Sequence, residues 1–255
     1  MQIIYLIIFF ILGCHMGSFY TVIGMRLPKH EDFFFSRSHC DKCNHPLSML
    51  DMIPVLSYLL LKGRCRYCHK KISNISTYME IFTGVLYALS FWIFGFSYEL
   101  LVALGLVTLL SIISVSDIMY YIIPDELLIF FTGYFLIVNA LNKGVEQALM
   151  SVMSGVILFA IMYLIMTLGN FIFKKETLGG GDIKLMLVIG IVLNPFLGII
   201  SIFLSSFIAL PISLLILLKE KKNIIPFGPF LIISAILIYM TKVDMTTIIN
   251  WLKII

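Results

Sequence analysis

Charge is what this sequence has least of. Asp, Glu, Lys and Arg make up 13% of its 255 residues, 60% are apolar, and the mean hydropathy is +1.04. A soluble domain carries about 25% charged residues. So few charges could not clothe a water-facing surface, which excludes an ordinary soluble globule. Nucleic acid is not an expected partner, because the basic residues are scattered between hydrophobic spans rather than gathered on one domain. Also missing is a basic stretch ahead of the first apolar run, and apolar character continues to Ile23, past any plausible cleavage site for a signal peptide. Cys14, in Ile11-Leu12-Gly13-Cys14, has no Lys or Arg before it and reads as a small helical residue rather than a lipoprotein processing site. The sequence shows no Ser-His-Asp arrangement, no His-Glu-x-x-His, no phosphate loop with a lysine, no internal repeat and no low-complexity stretch.

What is present is a series of long apolar runs. A spanning helix needs roughly 20 predominantly apolar residues. Eight candidates emerge, at 3–25, 78–94, 100–116, 126–141, 148–173, 183–193, 196–218 and 225–240. The fold class is therefore an all-α integral membrane protein of about eight transmembrane helices, with membrane lipid as its surroundings. The sixth run is short before Asn194-Pro195, and Pro211 should kink the seventh. Orientation follows from Lys and Arg. With the segment 27–77 in the cytoplasm, all the basic residues except Lys143, Lys242 and Lys253 lie inside, that is 15 of 18. Both termini are then external, and the tail 245–255, with Trp251, lies along the outer interface.

The polar segment 27–77 holds four of the five cysteines, as Cys40-Asp41-Lys42-Cys43 and Cys65-Arg66-Tyr67-Cys68, with 21 residues between the pairs. Two such hairpins bring four thiolates to a tetrahedral centre, which suits Zn²⁺. A loop of this size has few apolar groups for a core, and a metal supplies the missing folding energy. Structural zinc on Cys40, Cys43, Cys65 and Cys68 is the expectation. A redox pair or a metal-free loop are the other readings, and disulfides suit a reducing cytoplasm poorly. Four sulfurs leave no coordination site for water, so the zinc is not catalytic. His30, His39, His45 and His69 read as solvated loop residues rather than ligands.

Carboxylates at membrane depth are costly and mark functional sites. Asp117 ends the third run, and Asp182 opens the sixth after Gly179-Gly180-Gly181. On the orientation above both fall at the inner surface. Glycines there let one backbone approach another closely, as delivery of an extended peptide requires. Two carboxylates in one site cannot both ionise cheaply and hold one proton between them. Such a pair can activate a water with one member and protonate a carbonyl with the other. Taken singly, Asp117 reads equally as a solvated helix end and Asp182 as an N-cap. Asp125 reads as an N-cap, and Glu80 as a first-turn acid of the second span.

As a set the residues are distinctive. Gly17-Ser18-Phe19 through Arg26-Leu27-Pro28, Cys40-x-x-Cys43, Asp51-Met52-Ile53-Pro54-Val55-Leu56-Ser57-Tyr58, Gly63-Arg64-Cys65-Arg66-Tyr67-Cys68 and Tyr78-Met79-Glu80-Ile81-Phe82-Thr83-Gly84 occur in that order. Asp117 with Ile123-Pro124-Asp125, then Gly179-Gly180-Gly181-Asp182-Ile183-Lys184-Leu185 and Pro226-Phe227-Gly228-Pro229-Phe230, complete it. The chain resembles the bacterial type IV prepilin peptidases along nearly its whole length. The resemblance implies an aspartic protease with Asp117 and Asp182 as the catalytic dyad. The implied substrate is a prepilin or pseudopilin, of pilus, secretion or competence systems, whose basic leader is cut after a glycine just before a hydrophobic helix. Glu31, Asp32, Asp41 and Asp51 are the loop acids best placed to hold such a leader. The resemblance further implies N-methylation of the new N-terminus with S-adenosylmethionine, at a donor site no residue here identifies. On this reading 1–26 is the first span, 27–77 the four-cysteine zinc-binding loop domain and 78–255 the polytopic peptidase domain, in the inner membrane with the active site at the cytoplasmic face. The rival classes are an ion-coupled transporter and a non-catalytic scaffold whose zinc loop binds a partner. A presenilin-like or archaeal preflagellin peptidase would share the two aspartates but not the cysteine loop.

Overall fold

The computed structural model describes residues 1–34, 36, 38–40, 42–175, 177–220 and 225–242, the side chains of 217, 219 and 220 aside. The tail 245–255 and Asp41 therefore lie outside the described residues. The chain divides into two compact units, Met1–Phe96 and Ser97–Ile255.

In the first unit α1 (Gln2–Arg26) and α3 (Ile75–Phe94) pack as an antiparallel hairpin. Without lipid-driven attraction between helices, close backbone approach through small residues supplies the packing energy. Gly13 and Gly17 provide it. A Cβ on Gly13 would lie 2.8 Å from the Cα of Gly84, and one on Gly17 2.8 Å from the carbonyl of Met79. Towards one end the seam is filled by rings, with Phe9 stacked on Phe91 at 4.5 Å between centroids. This seam explains why the second apolar run belongs with the first unit, where the sequence division set it apart at residue 78. The hairpin presents residues 27–74 at one end. That loop carries two 3₁₀ turns, Leu27–Lys29 and Met49–Met52, and a five-residue helix α2 (Leu56–Leu60). Its extended contacts are two isolated antiparallel bridges, and no strand forms among the described residues.

The second unit contains α4 (Tyr98–Tyr120), α5 (Asp125–Lys143), α6 (Val145–Phe173), α7 (Gly180–Val192), α8 (Pro195–Glu220) and α9 (Gly228–Thr241). The most apolar window of α4 is 78% buried, against 17% for those of α6 and α8. Hydrophobic on every side, α4 is a core helix. It packs on α5 and α9, and α7 packs on α5, α6, α8 and α9.

Each of the eight predicted runs forms a helix, and six are long and apolar enough to cross a bilayer. The other two leave the count of eight crossings unconfirmed. With 13 and 14 residues, α7 and α9 are only about 20 Å long at 1.5 Å per residue, well short of a hydrocarbon core of ~30 Å. Their shortness is tolerated because they are buried in protein, where backbone ends find partners. The Asn139 side-chain amide donates to the carbonyl of Ile191 at 3.0 Å, near the end of α7. Asn194 accepts the Leu197 N–H at 2.9 Å to open α8. Pro211 lies inside α8, which continues past it.

Candidate active site and metal centre

Asp117 occupies the last turn of α4. The helix stops three residues later because Tyr121 adopts a left-handed conformation, its N–H closing on the Asp117 carbonyl at 2.9 Å. The chain then runs extended through Pro124 into α5. On the way Ile123 inserts between two glycine backbones. A Cβ on Gly181 would lie 2.9 Å from the Cβ of Ile123, and one on Gly228 would lie 2.9 Å from its Cδ1. Only residues without side chains fit at these two helix starts.

The same approach delivers a hydrogen bond. The N–H of Gly228, at the first turn of α9, donates to Oδ2 of Asp117 at 3.1 Å. It is one of the orphan donors of a helix start, satisfied by a carboxylate. Asp182 lies in the first turn of α7, with Gly179 as the capping residue, so it is not itself the N-cap. Both carboxylates are buried, at 6% and 8% exposure, and Ile123 links them, packed against Gly181 beside Asp182 and against Gly228, whose N–H holds Asp117. Oδ1 of Asp182 is fully buried and has no hydrogen-bond partner among the described residues. A buried polar atom left unpaired costs about 1–3 kcal/mol and calls for an explanation.

Asp125 is not the N-cap of α5 either. Pro124 takes that place, and Asp125, in the first turn, accepts Lys184 Nζ on both oxygens at 2.7 and 2.8 Å. The pair ties the starts of α5 and α7 together. Gly228 and Ile123 are site residues that the sequence reading misses. Their signal lies in the order Ile-Pro-Asp and Pro-Phe-Gly-Pro, whose purpose is visible only once three helix ends converge.

In the first unit the four loop cysteines meet, with all sulfurs within 4.8 Å of one another and Cys40 Sγ 4.0 Å from Cys68 Sγ. A tetrahedron of four sulfurs around zinc, with Zn–S near 2.3 Å, has edges of about 3.8 Å, so the cluster fits a metal ion. Two similar turns build it. Cys40 N–H donates to the carbonyl of His45 and Asn44 N–H to that of Cys40, and the same bonds run from Cys65 to Lys70 and from His69 to Cys65. Antiparallel bridges His39–Pro46 and Arg64–Lys71 close the two turns. Asn44 and His69 both adopt positive φ, 56° and 57°. Residue for residue the turns repeat at a spacing of 25, a repeat of backbone geometry that the sequence does not display. The amides of Cys68 and Tyr67 bring the Cys65 thiol down to about 7. The His45 amide favours the Cys43 thiolate, but burial and the crowding of the other three sulfurs prevail and push its thiol up to about 11. No histidine joins the cluster among the described residues.

Asp51 braces the second turn. It accepts Arg66 Nε at 2.6 Å, the Ser48 hydroxyl at 2.7 Å and the Tyr67 hydroxyl at 3.2 Å. Burial opposes its charge, and the bonds from Ser48 and Arg66 outweigh that, holding its carboxyl at about 2. Glu80 corrects another expectation. The helix begins at Ile75, before Tyr78 where the apolar run begins, so Glu80 lies in the second turn and is buried. Its Oε2 accepts the N–H of Val55 at 2.7 Å. Val55 has φ 62° and ψ −51°, and Leu56 N–H closes on the Pro54 carbonyl at 2.6 Å, a γ-turn of the rare, strained hand.

Comparison with known proteins finds relatives along most of the chain. The profile of the bacterial peptidase A24 N-terminal domain matches residues 11–94, and that of the type IV leader peptidase family matches residues 104–214. A prepilin leader peptidase/N-methyltransferase of Bacillus subtilis (strain 168) is 33% identical over 238 residues, covering 91% of this chain and 93% of the relative. The chain belongs to the type IV leader peptidase family. Its similarity extends to a protein of the same name from Vibrio cholerae, 32% identical with 94% and 98% of the two chains covered. Another, from Neisseria gonorrhoeae, is 28% identical with 94% and 92% covered. No solved structure matches the chain. The two family profiles divide this member much as its compact units do, at the close of α3.

Proposed function

We propose that this family member is a membrane aspartic endopeptidase that removes the basic leader of prepilin-like proteins after a glycine, with Asp117 and Asp182 as its dyad. The observation that carries the reading is two buried carboxylates at helix ends that converge on Ile123, one oriented by Gly228 and the other with Oδ1 unpaired among the described residues. A substrate carbonyl or a water is the partner that oxygen lacks.

The chemistry needs one shared proton. The ionised carboxylate takes a proton from a water between the two side chains, and the water oxygen attacks the peptide carbonyl carbon. The protonated carboxyl gives its proton to the carbonyl oxygen. Collapse of the resulting diol breaks the C–N bond, the amine leaves with a proton, and the dyad returns to its starting state. No covalent intermediate forms. Cys40, Cys43, Cys65 and Cys68 hold one zinc ion on this reading, and its closed shell of four sulfurs folds the loop without touching the reaction.

The names of the relatives support a second activity, N-methylation of the new N-terminus, for which S-adenosylmethionine supplies an electrophilic methyl group. The distribution of Lys and Arg supports a cytoplasmic active site in the inner membrane, with both termini outside. Mass spectrometry of a co-expressed prepilin tests both activities at once. The expected N-terminus lacks the leader and carries one added methyl group. An intact leader overturns the peptidase reading, and a cleaved but unmethylated terminus removes the second activity.

A further inference from the structure

The loop of the first unit carries a cationic cavity that the peptide chemistry does not use. No carboxylate occurs between Met52 and Met79, whereas Lys62, Arg64, Arg66, Lys70 and Lys71 fall within ten residues. Lys62, Arg64, Arg66 and His69 join Leu61 and Cys65 around a cavity of about 420 Å³. Arg66 is committed to Asp51. Lys62 and Arg64 enter no ion pair among the described residues, so their charge is available to a ligand.

Beside the cavity, α2 turns its leucines outward. Leu56, Leu59 and Leu60 are 57%, 62% and 81% exposed, an arrangement that water disfavours on a five-residue helix. The depth of α2 accounts for it. The Val55 N–H, immediately before α2, is bonded to Glu80, five residues into an apolar helix of membrane-spanning length. At 1.5 Å per residue Glu80 lies about 7.5 Å in from the helix start. The γ-turn thus anchors the start of α2 level with the first turns of α3.

We propose that the loop binds an anionic phospholipid, its headgroup phosphate held by Lys62 and Arg64 in the cavity while Leu56, Leu59 and Leu60 enter the acyl boundary. Exposed leucines beside unpaired cations form the pattern of an interfacial segment on an anionic membrane. A cationic leader peptide is repelled by the same charges. S-adenosylmethionine, with a sulfonium and an ammonium against a single carboxylate, is a net cation and suits the cavity less well than a phosphate does. A dissolved anion would satisfy the cavity but leave the leucines in water. The proposal is independent of the peptidase reading, since it rests on the first unit alone.

Hydrogen exchange of the full-length protein in nanodiscs tests it, following the segment 56–66 in phosphatidylcholine alone and with phosphatidylglycerol added. The expected result is roughly thirty-fold slower exchange with the anionic lipid, the scale of two basic groups at about 1 kcal/mol each near a charged surface. Lys62→Gln/Arg64→Gln should abolish the difference at unchanged zinc content, and Leu59→Ser/Leu60→Ser should speed exchange in both lipids. Equal exchange in the two bilayers overturns the proposal. So does equal protection by inorganic phosphate added to phosphatidylcholine discs, which would mean a small-anion site only. Loss of zinc from Lys62→Gln/Arg64→Gln also overturns it, because the charges would then serve the thiolate-rich centre.

Discussion

Replacing Gly228 by alanine would place a methyl group 3.0 Å from Oδ2 of Asp117 and 2.9 Å from Cδ1 of Ile123. One of the two must move, and the amide that orients the carboxylate moves with it. A hydrogen bond to a charged group contributes about 1.5–3 kcal/mol, so kcat should fall by roughly ten- to a hundred-fold in Gly228→Ala. KM should change little, because the Gly228 amide acts on the Asp117 carboxylate, and steady-state kinetics on a prepilin peptide separates the two. A rise in KM alone would place Gly228 in substrate binding instead. At this scale the sequence is legible where chemistry demands a rare residue in a hostile place. Asp117 and Asp182 stand out as carboxylates at membrane depth. Gly228 and Glu80 do not, because a backbone N–H has no side-chain signature and the partner of Glu80 lies 25 residues away at Val55.

Single helices carry the next set of expectations. The Asp125–Lys184 pair joins the starts of α5 and α7, but its side chains are 57% and 52% exposed. Exposed pairs contribute about 0.2–1 kcal/mol. Asp125→Asn should therefore keep cleavage within about ten-fold of the parent, which kinetics can measure, and a complete loss would move Asp125 into the catalytic group. For the cysteine loop, metal analysis under reducing conditions should find about one zinc per chain, the filling of a four-thiolate site. The double variant Cys40→Ser/Cys65→Ser should lose it, with cleavage falling only in part. Zinc near zero in the metal-replete parent would contradict the site. Helix existence is legible from apolar runs throughout, since eight runs give eight helices. The full crossing of all eight is not, because length decides crossing; only the sixth run shows its shortness in the sequence, where Asn194-Pro195 ends it. The two matching cysteine turns are hidden for a different reason. Their likeness lies in backbone angles at Asn44 and His69, which different residues can share.

Across the whole molecule, two compact units answer to two family profiles. The loop acids are not equivalent candidates for holding a basic leader. Asp51 is engaged by Ser48, Arg66 and Tyr67, and Asp32 accepts the N–H of Phe34 at 2.9 Å. The account as a whole depends on one claim, that Asp117 and Asp182 share the proton that cleaves the peptide bond. The direct measurement is the mass of a prepilin N-terminus after incubation with purified Asp117→Asn and with Asp182→Asn, each reconstituted in bilayers and checked to be folded by a circular dichroism spectrum and unfolding midpoint that match the parent's. Each variant should leave the leader attached, because a single shared proton needs both carboxylates. Substantial processing by either one would contradict the dyad.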